Sequence, residues 1–300
     1  PVRLHDGALI ILGDFISNLS INLIKFESLV LTLMFGLGSV LIVRIWRESI
    51  LKYDFYRVTR KPFVIGVSGD SSSGKDTFVN SMIDLFGKTS VASVSGDDYH
   101  YWDRNKPMWK VLTHLNPNAN DLERFSDDII GLAAGRSAMT RHYDHALGKM
   151  SKPYLVKSND FIFASGLHTL HAPLLRESLD LKIFLDIDEE LRKYFKIHRD
   201  VYQRGHHVDT VLKSIDSRLK DSATYIKPQA QYADLIFCLK PSNSKFRYDS
   251  VIEKQIGLKL TFKTSKSFNY ASFNRVMIGL CGLHTEMNVS EGSDRIEITI

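Results

Sequence analysis

The feature that most restricts this chain is a short apolar, β-branched run, Phe63-Val-Ile-Gly-Val67, leading directly into Ser68-Gly-Asp-Ser-Ser-Ser-Gly-Lys75. After it comes Asp76-Thr-Phe-Val-Asn-Ser-Met-Ile-Asp-Leu-Phe86, where Phe78, Met82 and Phe86 recur every four residues and Gly87 is a suitable helical stop. Strand, glycine-rich loop and helix in that order predict an α/β domain whose sheet ends face a phosphate-bearing ligand. Gly69 and Gly74 let successive backbone N–H groups turn toward one anion, the helix adds its positive end, and Lys75 supplies a mobile charge. Residues Gly69, Asp70, Ser71, Ser72, Ser73, Gly74, Lys75, Asp76 and Thr77 are therefore the expected nucleoside triphosphate cradle. Asp76 stands directly after the lysine, where a Ser or Thr normally meets magnesium, and Thr77 follows. A carboxylate also suits Mg²⁺, so either Asp76 or Thr77 is expected to touch the metal or its water shell.

Of the 300 residues, 44% are apolar and 24% charged, which excludes wholesale disorder. Thirty-nine basic against 34 acidic residues give +5, an excess suited to phosphorylated ligands or an anionic membrane surface but too small to argue for nucleic acid. The two cysteines, Cys238 and Cys281, form no CxxC pair, so neither a disulfide framework nor a thiolate zinc site is expected, and the cytoplasm is the default compartment. Three close histidine pairs (142/145, 168/171, 206/207) lie in motifs read as phosphate or acceptor contacts, and no ligand-rich helix such as HExxH is present, so a dedicated transition-metal site is not expected. His5, His114 and His284 are read as surface or core residues.

A second strand is expected over Val91 to Val94, followed by Ser95-Gly-Asp-Asp-Tyr-His100. This puts two carboxylates at the carboxyl end of a strand, where open α/β sheets bind ligands and where phosphoryl transfer needs a base. The order of motifs from about Phe63 to about Cys238 resembles the phosphoribulokinase and uridine kinase family. The motifs are GDSSSGKDT (69–77), SGDDYHYWDR (95–104), LNPNAND (115–121), YDH (143–145), SGLH (165–168), FLDID (184–188), HRDVYQRGHH (198–207) and YIKPQAQYADLIF (225–237).

The resemblance implies that Asp97 is the catalytic base, that Asp98, His100 and Arg104 line the acceptor site, and that Tyr143 and His145 touch the acceptor from the other side. It also implies that Arg199 and Arg204, near Lys193 and Lys196, belong to a segment that closes over the phosphates. Guanidinium groups there would act with Lys75 on the charge of the transferring oxygens. ATP and Mg²⁺ are the implied cofactors. DDYH with Arg104, the RGH at Arg204 to His206 and GLH at Gly166 to His168 look more like phosphoribulokinase than uridine kinase and favour a sugar phosphate acceptor, while Tyr99, Trp102 and Tyr143 keep a nucleoside open. Ser165 departs from the family pattern, which has a Glu before GLH that helps hold magnesium. Asp76 is a candidate replacement for that charge. The same departure supports a second reading, a membrane-tethered nucleotide-binding regulator without turnover.

Upstream, residues 28–46 are free of acidic residues and carry one snorkelling Arg44, a length of roughly 28 Å as a helix against about 30 Å of hydrocarbon. Trp46 and the basic residues after it would set the following domain on the cytoplasmic face. Residues 7–24 form a weaker apolar candidate interrupted by Asp14, Asn18 and Asn22, and a helical hairpin used in oligomerisation is the alternative to spanning. Val208, Val211, Leu212, Ile215 and Leu219 predict an amphipathic helix presenting Arg218 and Lys220 outward. Alternation in 258–263 and 295–300 predicts an antiparallel β extension, and an end in mid-strand suggests a segment of a longer protein. The expected organisation is a hydrophobic helical, membrane-associated segment (1–60), a three-layer α/β P-loop domain (61–240) and a β-rich extension (241–300), with a homo-oligomer possible.

Overall fold

The structure, a computed structural model, describes residues 61–145, 147–249, 256–289 and 293–300. The apolar segments at 7–24 and 28–46, and with them the expected membrane association, lie outside the described residues. Among the described residues no helix is long and apolar enough to cross a membrane.

The core is an eight-stranded mixed sheet of β1 (Phe63–Gly69), β2 (Val91–Ser95), β3 (Phe161–Gly166), β4 (Leu181–Ile187), β5 (Leu235–Pro241), β6 (Leu258–Ser265), β7 (Glu286–Val289) and β8 (Arg295–Thr299). Their order across the sheet is β7-β8-β6-β5-β4-β1-β3-β2. The five strands β5, β4, β1, β3 and β2 run parallel. The last three are antiparallel, so the alternating segments near the C-terminus continue the same sheet from β5 outward.

Neighbouring residues on the parallel strands enter opposite hydrophobic clusters, which is why these strands read as unbroken apolar runs. Val64, Ile162, Ala164 and Phe184 pack on one face with Phe125, Ile129 and Leu132 of α2 (Leu122–Ala133). Ile65, Val67, Phe163, Ile183 and Leu185 pack on the other with Phe78, Val79, Met82 and Phe86 of α1 (Lys75–Phe86). Helices thus cover both faces, the α/β layering expected from the sequence. A short helix, α5 (Tyr270–Val276), lies between β6 and β7, and its Phe273 packs on Phe262 with Ile296 and Ile298 in a third cluster. The alternating pattern carried no sign of it.

The parallel topology places the site. β1 sits centrally, with β3 and β2 on one side and β4 and β5 on the other, so the connections diverge at its carboxyl end. The loops after β1, β2 and β4 all emerge there. They lead into α1, into a short 3₁₀ turn (Gly96–Tyr99), and into α3 (Glu189–Ile197), where the Asp188 carboxylate accepts from the N–H groups of Glu190 and Leu191. α3 runs on through a π-helical turn (His198–Gln203) toward α4 (Val208–Asp216). The helix expected to reach Leu219 ends at Asp216, and a separate turn follows at Leu219–Asp221.

Candidate active site

The loop between β1 and α1 is shaped by two glycines. At Gly69 an added Cβ would lie 2.5 Å from the Leu185 carbonyl oxygen, so only a bare backbone fits beside β4. Gly74 adopts φ +89° immediately before the first turn of α1. Ser72, at φ +67°, takes a left-handed conformation that costs an L-residue about 1–2 kcal/mol, strain of the kind found at ligand-binding loops. The Lys75 ammonium folds back on its own loop and donates to the carbonyls of Gly69 (3.0 Å) and Asp70 (2.8 Å). Burial lowers its pKa against the pull of Asp97, Asp76 and Asp70.

Lys75 faces a cavity of about 910 Å³, large enough for a nucleotide together with a second small molecule. Of the expected residues, Ser71, Ser72, Ser73, Gly74, Lys75, Asp76, Thr77, Asp97, His100, Arg104, Tyr143, His145, Arg199 and Arg204 all line it. Gly69, Asp70 and Asp98 do not. Gly69 is spaced against β4, and the Asp70 carboxylate points away from the cavity toward Ser222 and Arg192.

Asp98 turns beneath the hairpin formed by Tyr143–Asp144 and Lys149–Met150, where its carboxylate accepts from the Tyr143 N–H at 2.7 Å and pairs with His142 at 3.5 Å. Asp98 thus stands outside the cavity lining expected of it, and its carboxylate supports the hairpin from below. Burial pushes its carboxyl up to about 6 despite those two contacts.

Asp97 faces inward. Its N–H donates to the Ser95 side chain, which fixes the turn, and its carboxylate lies 3.3 Å from His145 Nε2 and 3.9 Å from His100 Nε2. Burial pushes the Asp97 carboxyl up, but the His145 hydrogen bond and the charges of His100, His145 and Lys75 outweigh it and hold the group below the usual carboxylate range. His100 also meets the Asn120 side-chain oxygen through Nδ1, and burial lowers its own pKa. Arg104 donates to the His145 carbonyl at 2.9 Å, tying the hairpin to this corner.

The opposite wall is cationic. Asp200 is held by Arg199 (2.9 Å), Arg204 (3.1 Å) and Lys196 (3.7 Å), so one carboxylate gathers three basic side chains along the cavity. Burial followed by the neighbouring Arg218 brings the Lys196 ammonium down to about 7.

Among the lining residues that the sequence reading did not assign to the site are Arg218, His114 and Trp109. Arg218, expected to point outward from an amphipathic helix, lines the cavity, and burial lowers its pKa. Periodicity separates a polar face from an apolar one but does not distinguish solvent from a ligand cavity. His114 also lines the cavity, and Trp109 stacks on it (5.4 Å, 25°) and on Tyr143 (6.0 Å, 11°). The aromatic content of 109–114 was the available signal. Ser165 is buried in β3 between Val67 and Ser95 and lies outside the lining.

Magnesium fits this loop on its donor chemistry. The Ser72 and Ser73 hydroxyls are buried without hydrogen-bond partners, and Asp76 and Thr77 add a carboxylate and a hydroxyl on the same wall. Hard oxygen donors supplied by one or two side chains, with phosphate and water completing the shell, are what Mg²⁺ prefers. Among the described residues no group of three or more His, Cys, Asp or Glu could hold a metal on its own.

The sequence profile of the phosphoribulokinase / uridine kinase family matches residues 64–245, more than half of the chain and the whole of the cavity's parallel-strand frame. The chain belongs to that family. Phosphoribulokinase of Synechocystis sp. is 38% identical over 179 residues, covering 60% of this chain and 54% of the relative. The chloroplastic phosphoribulokinase of Spinacia oleracea is 32% identical over 200 residues (61% and 50%), and uridine kinase of Streptococcus uberis is 29% identical over 182 residues (59% and 86%). The chain spans about half the length of the phosphoribulokinases it matches. Among solved structures, phosphoribulokinase from Rhodobacter spheroides superposes with a TM-score of 0.62 at 19% identity, covering 79% of this chain and 90% of that one, a likeness of fold.

Proposed function

We propose that this family member transfers the γ-phosphate of ATP to a hydroxyl of a small sugar phosphate. The observation that carries the reading is the placement of Asp97 in one cavity with Lys75, each within electrostatic reach of the other, with basic side chains on both flanks. The loop backbone and Lys75 would hold the triphosphate, with Asp76 or Thr77 at the metal. Bound Mg²⁺ would offset charge on the phosphate oxygens. Asp97, ionised at neutral pH, would accept the acceptor hydroxyl's proton as that oxygen bonds to the γ-phosphorus and the bond to the β-phosphate bridging oxygen breaks, leaving ADP. Arg199 and Arg204 would stabilise the charge spread over the transferring oxygens.

A phosphorylated acceptor is favoured over a nucleoside by two features. The lining carries six Lys or Arg (75, 104, 196, 199, 204, 218) against four Asp (76, 97, 186, 200), an excess that suits two anionic ligands. In the corner beside Asp97, Trp109 stacks on Tyr143 and His114, with His100 edge-on to Trp109 and Tyr143, so the faces of these four rings are engaged with one another.

The test is ADP release by the full chain with ribulose 5-phosphate, other pentose phosphates and pyrimidine nucleosides. Turnover is expected with a pentose phosphate and should fall by roughly 10²-fold or more in Asp97→Asn. Turnover with nucleosides alone would overturn the acceptor assignment. ATP binding without any turnover would favour the regulator reading, which the buried Ser165 supports.

A further inference from the structure

Asp70 presents a physical puzzle, because a carboxylate in the second position of a loop that gathers anions should repel them. Its surroundings supply the answer. Asp70 is 6% exposed and stands outside the cavity lining. One carboxylate oxygen accepts from the Ser71 N–H at 2.6 Å, bracing the loop, and the other accepts from the Ser222 hydroxyl. The Arg192 guanidinium is 3.7 Å away, its Nε and Nη2 already bonded to Glu189, so a charge of opposite sign offsets Asp70 within the protein. Arg192 and Ser222 are themselves 5% and 2% exposed. The void beside Asp70 and Arg192 has about 10 Å³, room for about one water and no ligand.

The two partners of Asp70 are far apart in sequence and bracket a single excursion of the chain. Arg192 lies in α3, which runs into the π-helical turn carrying Arg199, and Arg204 closes that turn. The chain then passes through α4 and Arg218 to Ser222, the first residue of the next π-helical turn. Everything between them that reaches the cavity, Lys196, Arg199, Asp200, Arg204 and Arg218 included, hangs from those two points.

We propose that Asp70 is a positioning residue that ties both ends of the cation-bearing segment, at Arg192 and at Ser222, to the phosphate loop, so that the loop and the basic wall keep one fixed spacing across the cavity. The inference rests on the phosphoryl-transfer reading for its purpose, but its geometry stands without it. Charge-assisted hydrogen bonds of a buried carboxylate are among the stronger single contacts available to hold such a segment. Replacing the carboxylate by an amide keeps one acceptor and removes the attraction to Arg192.

The experiment is limited trypsin digestion of the full chain as wild type, Asp70→Asn and the milder Ser222→Ala, with cleavage sites read by mass spectrometry. The segment offers Lys193, Lys196, Arg199, Arg204, Lys213, Arg218 and Lys220 as sites. Cleavage within 193–221 is expected to quicken roughly tenfold in each variant, the ratio given by losing one hydrogen bond to a charged group, while sites elsewhere hold their rates. ATP titrated calorimetrically should still bind Ser222→Ala, yet protect 193–221 less than it does in the wild type. If the wild type turns over, kcat should fall roughly tenfold in Ser222→Ala with little change in KM for ATP. Unchanged cleavage of 193–221, or equal acceleration at every site in both variants, would overturn the proposal. A wild type without turnover would sink the kinase reading and leave the cleavage comparison to decide this one.

Discussion

Asp98→Asn tests whether the carboxyl under the hairpin of Tyr143–Asp144 and Lys149–Met150 is as strongly desolvated as its surroundings imply. In the folded protein its pKa is raised from 3.8 to about 6, burial outweighing the Tyr143 N–H and His142. Below pH 3.8 the group is protonated in both states and makes no difference to stability. Between 3.8 and about 6 the unfolded chain releases its proton while the folded chain retains it, so stability falls as pH rises, and the loss is complete above about 6. The shift of about two units corresponds to roughly 3 kcal/mol. Asparagine cannot ionise and keeps an oxygen for the Tyr143 N–H, which lies at 2.7 Å. The figure already includes the pairing of the ionised carboxylate with His142, so nothing further is subtracted for it. The variant should therefore lie close to the wild type at pH 4 and exceed it by roughly 3 kcal/mol at pH 7. Denaturant unfolding of both proteins at pH 4, 5, 6 and 7 measures the difference, in which all groups except Asp98 and its neighbours cancel. A difference that stays constant across that range would refute the reasoning.

Gly69→Ala should weaken ATP binding by at least roughly tenfold in calorimetry, because the new methyl meets the Leu185 carbonyl and the loop must shift. Arg218→Gln should raise KM for a phosphorylated acceptor roughly tenfold while leaving ATP affinity near the wild-type value; equal losses for both ligands would place Arg218 elsewhere in the chemistry. Asp76→Thr should abolish magnesium-dependent turnover if Asp76 supplies the charge that Ser165 does not, and undiminished activity would remove that compensation.

Sequence determined what is local and contiguous. The strand, glycine loop and helix from Phe63 to Phe86 could be read because a phosphate cradle is built from consecutive backbone groups, so its geometry is written in spacing. Asp97 could be placed because a turn directly after a parallel strand must emerge at the carboxyl edge of the sheet. The direction of each side chain belonged to tertiary structure. Asp70 and Asp98 sit inside recognisable motifs and yet turn away from the cavity, one toward Ser222 and Arg192, the other beneath Tyr143. Arg218, read from periodicity as part of a helix's polar stripe, lies between the end of α4 and the next turn and lines the cavity. Hydrophobic periodicity records which face avoids apolar packing, whereas water, a ligand cavity and a buried counter-charge all satisfy a polar face equally well. Only the folding of distant segments onto one another decides among the three.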